Sequence, residues 1–203
     1  MAITSDPQIA AFPARISEVP VHPSFLDRWS SRAFSSQAIA DEQLRSLFEA
    51  ARWAPSASNA QPWLFVYANE ETTLGRARLL LRDSNRRWAS RAPLLIFVFA
   101  RRVHEETGQP LRTGAFDTGA AWFSLAMQAQ RLGLKTRAMG GILHDETYEA
   151  FGVPRDQFES QAAIAVGYPA PSSELPPDLA AKDVPNGRKP QREFVFAGRY
   201  EKR

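Results

Sequence analysis

Residues 55–63 read PSASNAQPW, and this segment stands between a helical pattern and a strand-like pattern. Two serines, an amide pair and two prolines make it a rigid, uncharged loop rich in hydrogen-bond donors and acceptors. Such a surface suits a flat heterocycle whose edge alternates donors and acceptors. A plain turn between a helix and a strand would have the same composition, so both interpretations stay open.

The segments that flank this loop predict a helix before it and a strand and helix after it. Apolar residues of 41–53 recur at helical spacing, and Pro55 closes that helix. Residues 63–67 have the composition of a strand. Asn69 is a candidate N-cap for a second helix that reaches Leu81.

The next segments predict two central strands and one unusually apolar helix. Residues 93–100 and 162–168 are apolar on both faces, as in strands covered on both sides. Residues 117–132 predict the longest helix, which has so few charges that we expect it to be buried all round, in a core or a subunit interface. Gly133 is well placed to end it, and a short helix follows over 145–151.

The 203 residues predict a single domain over residues 24–203, preceded by an extended lead-in. That lead-in, residues 1–23, contains four prolines, which forbid a long helix. Six of the 15 prolines lie in residues 169–203, which predicts an extended arm with no helix of its own. Residues 193–197 alternate as in a strand and form its predicted tail.

Composition excludes several classes of function. The chain has no cysteine, which rules out disulfide frameworks, thiolate metal sites and cysteine nucleophiles. A net charge of +3 favours anionic ligands without marking a nucleic-acid binder. The three histidines share no local ligand spacing, so no metal site is expected. Without a secretory signal or a bilayer-spanning apolar run, we expect a soluble cytoplasmic protein with no membrane partner.

Two further segments carry binding chemistry. Residues 28–34, RWSSRAF, place Arg28 and Arg32 on either side of Ser30, and two guanidiniums beside a hydroxyl fit a phosphate monoester. Two solvated arginines near a helix end would look the same. The paired glycines of MGGI, 139–142, let a backbone approach a ligand closely, or form a plain turn.

In this order, the segments resemble the FMN-dependent nitroreductase family. The resemblance covers roughly residues 24–200 and rests on motifs in register: RWSSRAF, the helix ending EAARWAP, SASNAQPW, DTG at 117–119, Gly133-Leu134, MGG and a late Arg-x-Pro at 188–190. It implies an α+β, nitroreductase-like fold with a mostly antiparallel central sheet flanked by helices. It also implies a homodimer that binds FMN at its interface, with an extended C-terminal arm wrapping the partner.

The same resemblance implies which residues contact FMN. Arg28, Arg32 and Arg188 would hold the phosphate, with Ser30 beside it, while Trp29 stands where the family often has another basic residue. Residues of the SASNAQPW loop would come from the partner subunit and border the isoalloxazine: Pro55, Ser56, Ala57, Asn59 and Gln61. Four further residues would contact the pyrimidine ring and the N5–O4 edge of the flavin: Asn85, Met139, Gly140 and Gly141.

The resemblance further implies an oxidoreductase. NADH or NADPH would pass a hydride to flavin N5 and be replaced by a nitroaromatic, quinone or similar small acceptor, in ping-pong order. No catalytic side chain is expected, since the flavin does the chemistry and the backbone of Gly140 and Gly141 supports it.

Alternatives stay open at this point. One is a specialised flavoenzyme of the same fold that dehalogenates, fragments flavin or oxidises peptides, and another is an FMN-binding protein without turnover. A third lies outside the family, because Arg78, Arg82 and Arg86 recur at helical spacing and could line a stripe that tracks the phosphates of a nucleic acid. A solvated helix face would show the same spacing, and the balance of charges favours it over a nucleic-acid partner.

Overall fold

The computed structural model describes residues 15–201 and centres on one antiparallel sheet. Its strands stand in the order β1-β2-β4-β3 and are β1 Trp63–Ala68, β2 Leu94–Arg101, β3 Lys135–Met139 and β4 Phe158–Gly167. The predicted α+β class with an antiparallel sheet is confirmed. The strand predicted over 162–168 exists but begins earlier, at Phe158.

Helices cover the sheet, and the described part of the chain has seven of them. They are α1 Ser24–Asp27, α2 Asp41–Arg52, α3 Glu71–Leu79, α4 Asp83–Ala89, α5 Gly114–Arg131, α6 His144–Phe151 and α7 Pro177–Ala180. None is long and apolar enough to cross a membrane.

Strand β2 lies at the centre of the core because its two faces are both covered. Leu95, Phe97 and Phe99 pack into a cluster with Trp88 of α4, whereas the alternate residues of the strand pack against α2 and α5. Successive side chains of a strand point to opposite faces, so an apolar run such as this one needs a layer on each side. This packing explains the run of apolar residues that predicted a central strand.

The second predicted helix differs in its start. Its N-cap is Glu70, not Asn69, because the Glu70 N–H donates to Thr73 Oγ1 at 3.2 Å, a pairing that needs a spacing of three residues. The helix also ends at Leu79, before the predicted Leu81. Arg82 is extended and starts a separate helix, α4.

This break removes the predicted arginine stripe. Arg78 lies in α3, Arg82 between the helices and Arg86 in α4, so they share no helical face. The Arg86 guanidinium instead donates to the carbonyls of Arg78, Leu79 and Leu81, at 2.8–3.2 Å. It therefore caps the end of α3 and does not face a partner.

Helix α5 begins at Gly114, earlier than predicted, and Gly133, at φ +74°, follows its end as expected. A Cβ on Gly114 would lie 2.2 Å from the carbonyl oxygen of Arg101, so only glycine allows the helix to start this close to β2. Burial all round is wrong within one chain. Phe116 is 82% exposed and Phe123 43% exposed, although Leu125 on the opposite side is fully buried.

The C-terminal arm is less extended than predicted. Residues 1–14 and 202–203 lie outside the described residues, and with them most of the lead-in. The arm does contain a helix, α7, which begins at Pro177, a residue pre-organised for a first helical position. The tail over 193–197 is not a strand, because the Val195 N–H donates to the carbonyl of Gln191 at 2.9 Å and closes a local turn.

Candidate functional site

A basic cleft of about 340 Å³ forms where residues 28–32 meet β3 and the C-terminal arm. Its lining is Arg15, Arg28, Trp29, Ser30, Arg32, Arg137, Lys182, Val184, Asn186 and Arg188. The structure thus brings together the predicted phosphate-binding residues of RWSSRAF and of the arm. Sequence reasoning missed Arg15, Arg137 and Lys182.

Asp183 holds the RWSSRAF segment against the arm. Its buried carboxylate accepts the backbone N–H of Arg32 at 2.7 Å and the Ser31 hydroxyl at 3.0 Å. The Arg32 guanidinium lies 3.9 Å from the same carboxylate. Asp183 is itself outside the lining, so it fixes the backbone on which the cationic side chains stand.

The charges of the basic cleft are unbalanced. The lining, as far as the chain is described, contains six cationic side chains and no carboxylate. Burial, together with the charges of Arg15 and Arg188, lowers the pKa of Arg28. Burial and the charge of Arg32 lower the pKa of Arg137 in the same way. A lowered arginine pKa means that the positive charge is less favourable here than in water, and an anion such as a phosphate group would offset that cost.

A chain of contacts joins the basic cleft to the paired glycines. The Arg137 guanidinium donates to the Ser30 carbonyl, and its carbon lies 5.4 Å from the centre of the Trp88 ring. Trp88 Nε1 donates to Asn85 Oδ1 at 3.3 Å, and Asn85 Nδ2 donates to the Gly141 carbonyl at 3.0 Å. The predicted Asn85 and Gly141 are therefore linked to the phosphate candidates by contacts through the buried Trp88.

The glycine pair presents its backbone in a defined way. Met139 is buried at the end of β3, Gly140 is exposed and Gly141 is half-buried. A Cβ on Gly141 would lie 2.5 Å from Asn85 Nδ2, whereas one on Gly140 would meet nothing within 4 Å. Both glycine carbonyls accept hydrogen bonds, but the Gly141 N–H donates none to the described residues. That N–H is available to a ligand.

Replacing Gly141 by Ala should lower the free energy of unfolding by about 1–3 kcal/mol, because Asn85 must move and leave its partners unsatisfied. Urea unfolding of the two single alanine variants checks this, with Gly140→Ala as the matched control that meets no neighbour. The loss should largely disappear when Gly141→Ala is measured in an Asn85→Ala background. An equal loss for the two glycine variants would contradict the close approach.

The predicted SASNAQPW loop has an unusual backbone. Ser58, Asn59 and Gln61 have φ of 50°, 56° and 46°, a left-handed conformation that non-glycine residues rarely adopt. The loop is held by the Ala57 N–H, which donates to the buried carboxylate of Asp117 at 3.1 Å. Such strain persists only where the surroundings impose it, and it clusters at ligand-binding segments.

Within one chain this loop does not reach the basic cleft. Ser58, Asn59 and Gln61 line a separate cavity of about 510 Å³ together with Arg101 and His104, and the two linings share no residue. The predicted site residues therefore fall into two groups on one chain. The first lies around the cleft and Gly141, and the second lies on the loop at residues 55–61.

The missed cations had little signal in the sequence. Arg15 lies in the proline-rich lead-in, where its guanidinium donates to the Arg28 carbonyl at 3.0 Å. Arg137 is the third residue of β3, close before the glycine pair, and a charged residue in a short strand was a usable clue. Lys182 lies beside Asp183 on the arm and only the tertiary fold places it in the cleft.

Comparisons with known proteins agree with this geometry. The model of the nitroreductase family matches residues 26–86 and 75–168. A Streptomyces coelicolor protein with the provisional name NADH dehydrogenase/NAD(P)H nitroreductase is 28% identical over 77% of this chain and 87% of its own. The Bacillus subtilis FMN reductase [NAD(P)H] is 25% identical over 79% of this chain and 70% of its own. A crystal structure described as an oxidoreductase containing FMN is 43% identical over 96% of this chain and all of its own, with a TM-score of 0.90.

Proposed function

The chain belongs to the nitroreductase family, and on that premise we propose that it is an FMN-dependent NAD(P)H oxidoreductase of nitroaromatic, quinone or similar small acceptors. The observation that carries the proposal is the carboxylate-free basic cleft joined by contacts to the Gly141 backbone. A phosphate-bearing, flat cofactor needs a cationic pocket at one end and an uncharged hydrogen-bonding edge at the other, and the basic cleft and the glycine pair would supply these two ends.

The residues divide between the two ends of the cofactor. Arg28, Arg32 and Arg188 would hold the phosphate, with Ser30 and Trp29 beside them and with further charge from the cations the structure adds: Arg15, Arg137 and Lys182. At the other end, Asn85 and the backbone of Met139, Gly140 and Gly141 would meet the flavin ring.

When bound, FMN would supply the hydride chemistry between NADH or NADPH and the second substrate, in ping-pong order. The protein's part is to bind and orient. The Gly141 N–H would offer a fixed donor to the flavin edge by preorganised electrostatics, and the cations of the cleft would pair with the phosphate. No side chain is assigned as a general acid, and we infer that protons come from water.

We propose that a second copy of the chain completes the site. The strained loop at 55–61 would reach the flavin of the partner, since it lies away from the cleft of its own chain. The exposed Phe116 and Phe123 on α5 supply an apolar surface for that contact, and the C-terminal arm would lie on the partner. Light scattering should give twice the chain mass, whereas a monomer that still binds FMN tightly would contradict the shared site.

The test is turnover by the FMN-loaded protein. Oxidation of NADH and of NADPH is followed by absorbance with menadione, nitrofurazone or no acceptor, and initial rates are measured at several acceptor concentrations. Parallel double-reciprocal lines are expected for ping-pong exchange. Bound FMN that neither nucleotide reduces would overturn the oxidoreductase and leave an FMN-binding protein.

A further inference from the structure

His144, the first residue of α6, makes a contact that no role described above uses. Its Nε2 lies 3.1 Å from the Gly140 carbonyl oxygen, and its Nδ1 lies 3.1 Å from Ser160 Oγ on β4. A carbonyl oxygen can only accept, so Nε2 must carry the hydrogen. The ring therefore bridges the sheet and the glycine pair.

This contact bears on the Gly141 N–H because the two groups share one peptide unit. The peptide between Gly140 and Gly141 is planar and trans, so its C=O and its N–H point in opposite directions. Whatever holds the Gly140 carbonyl thus fixes the direction of the Gly141 N–H. The other donor to that carbonyl is the N–H of Ile142 at 3.0 Å, which lies in the same tight turn and cannot fix the turn in space by itself.

The imidazole is held by its own neighbours. The Ser160 hydroxyl meets Nδ1 and lies 3.2 Å from Thr147 Oγ1, while the Ser160 N–H donates to the Tyr148 hydroxyl at 2.8 Å. Thr147 is fully buried and also donates to the His144 carbonyl at 2.6 Å. Locked side chains of this kind are what keeps a binding group in one geometry.

We propose that His144 is a positioning residue that aims the Gly141 N–H at the bound flavin. The inference rests on the proposed function, because it needs FMN at the glycine pair. A donor aimed at flavin O4, which accepts hydrogen bonds in both oxidation states, stabilises the reduced cofactor more than the oxidised one, since reduction adds negative charge. His144 therefore raises the midpoint potential of the bound flavin without touching the cofactor itself.

The test measures the midpoint potential and the dissociation constant of FMN in four variants. His144→Phe keeps a ring without the donor and should weaken binding of reduced relative to oxidised FMN about tenfold, which lowers the two-electron potential by about 30 mV. His144→Gln keeps a donor and should recover most of the shift. Ser160→Ala frees the ring and should give a smaller shift of the same sign. His22→Gln, an exposed histidine before α1, is the matched control and should give none.

Three results would overturn the proposal. A His144→Phe protein that is folded by circular dichroism and binds FMN with the wild-type potential shows that the ring does not act on the flavin. Equal shifts in the Phe and Gln variants show that only the size of the side chain matters. If His144→Phe fails to fold, a wild-type potential in Ser160→Ala decides against the proposal. Failure of the proposed function is distinct, because the wild-type protein would then bind no FMN, or would bind FMN that neither nucleotide reduces, and neither result depends on His144.

Discussion

Replacing Arg28 by Ala should weaken FMN binding about 10- to 100-fold while leaving the flavin-free protein at least as stable as wild type. A hydrogen bond from a charged donor contributes about 1.5–3 kcal/mol, and 1.4 kcal/mol is a factor of ten in affinity. Without the phosphate, the same charge is half-buried beside Arg15 and Arg188, so its removal relieves repulsion. Quenching of FMN fluorescence and urea unfolding measure the two effects separately.

Riboflavin provides the internal control for Arg28. It lacks the phosphate, so its affinity should be the same in wild type and in Arg28→Ala. Arg45→Ala is the matched protein control, since Arg45 is exposed on α2 and outside the cleft. An equal loss of riboflavin and FMN binding in Arg28→Ala would contradict a phosphate contact and indicate a general disturbance of the loop.

Replacing Asp183 by Ala should lower the free energy of unfolding by about 2–4 kcal/mol. The substitution leaves the Arg32 N–H and the Ser31 hydroxyl buried without an acceptor, and it removes a negative charge from beneath a cluster of cations. Asp183→Asn keeps the shape and one acceptor oxygen, so its loss should be clearly smaller. Urea unfolding of the flavin-free proteins compares the three chains.

An unchanged urea midpoint in Asp183→Ala would contradict the stabilising role of Asp183. In that case the arm would not be fastened to the RWSSRAF segment, and the basic cleft would lack a fixed wall. Limited proteolysis gives a second measure of how firmly the arm is held. Cleavage after Lys182 and Arg188 should be faster in Asp183→Ala than in Asp183→Asn.

Local pattern predicted three of the four strands and part of the basic cleft, whereas β3, Lys135–Met139, was not predicted. Residues 93–100 are apolar on both faces because β2 is covered on both sides, and that condition is visible in the sequence itself. Arg28, Ser30 and Arg32 lie within five consecutive residues, so short-range chain geometry is enough to bring them to the same cleft. Arg188 was assigned to the phosphate only through the family resemblance, and it lies in the same cleft.

The remainder depended on contacts that a single sequence does not display. Arg15 and Arg137 are 122 residues apart in the sequence. Nothing in either segment indicates that the fold brings both side chains to the same cleft. Asn85 and Gly141 are 56 residues apart in the sequence, and their contact needs a residue without a Cβ at position 141. The arm was predicted as fully extended because prolines argue against long helices but say little about single turns such as α7.

Helix α5 shows a different limit. Its composition predicted burial all round, but the single chain leaves Phe116 and Phe123 exposed. An apolar pattern cannot distinguish burial within a chain from burial between chains. The expectation of a subunit interface remains a prediction, and the mass measurement proposed above decides it.

The most direct test of the account is a visible absorption spectrum of the purified protein after FMN is added and the excess removed. Retention of about one flavin per chain, with release when Arg28 and Arg32 are both replaced by Ala, is the result the account predicts. A wild-type protein without flavin absorbance after this treatment would contradict the proposed FMN site, because the cationic cleft and the glycine pair would then not bind FMN.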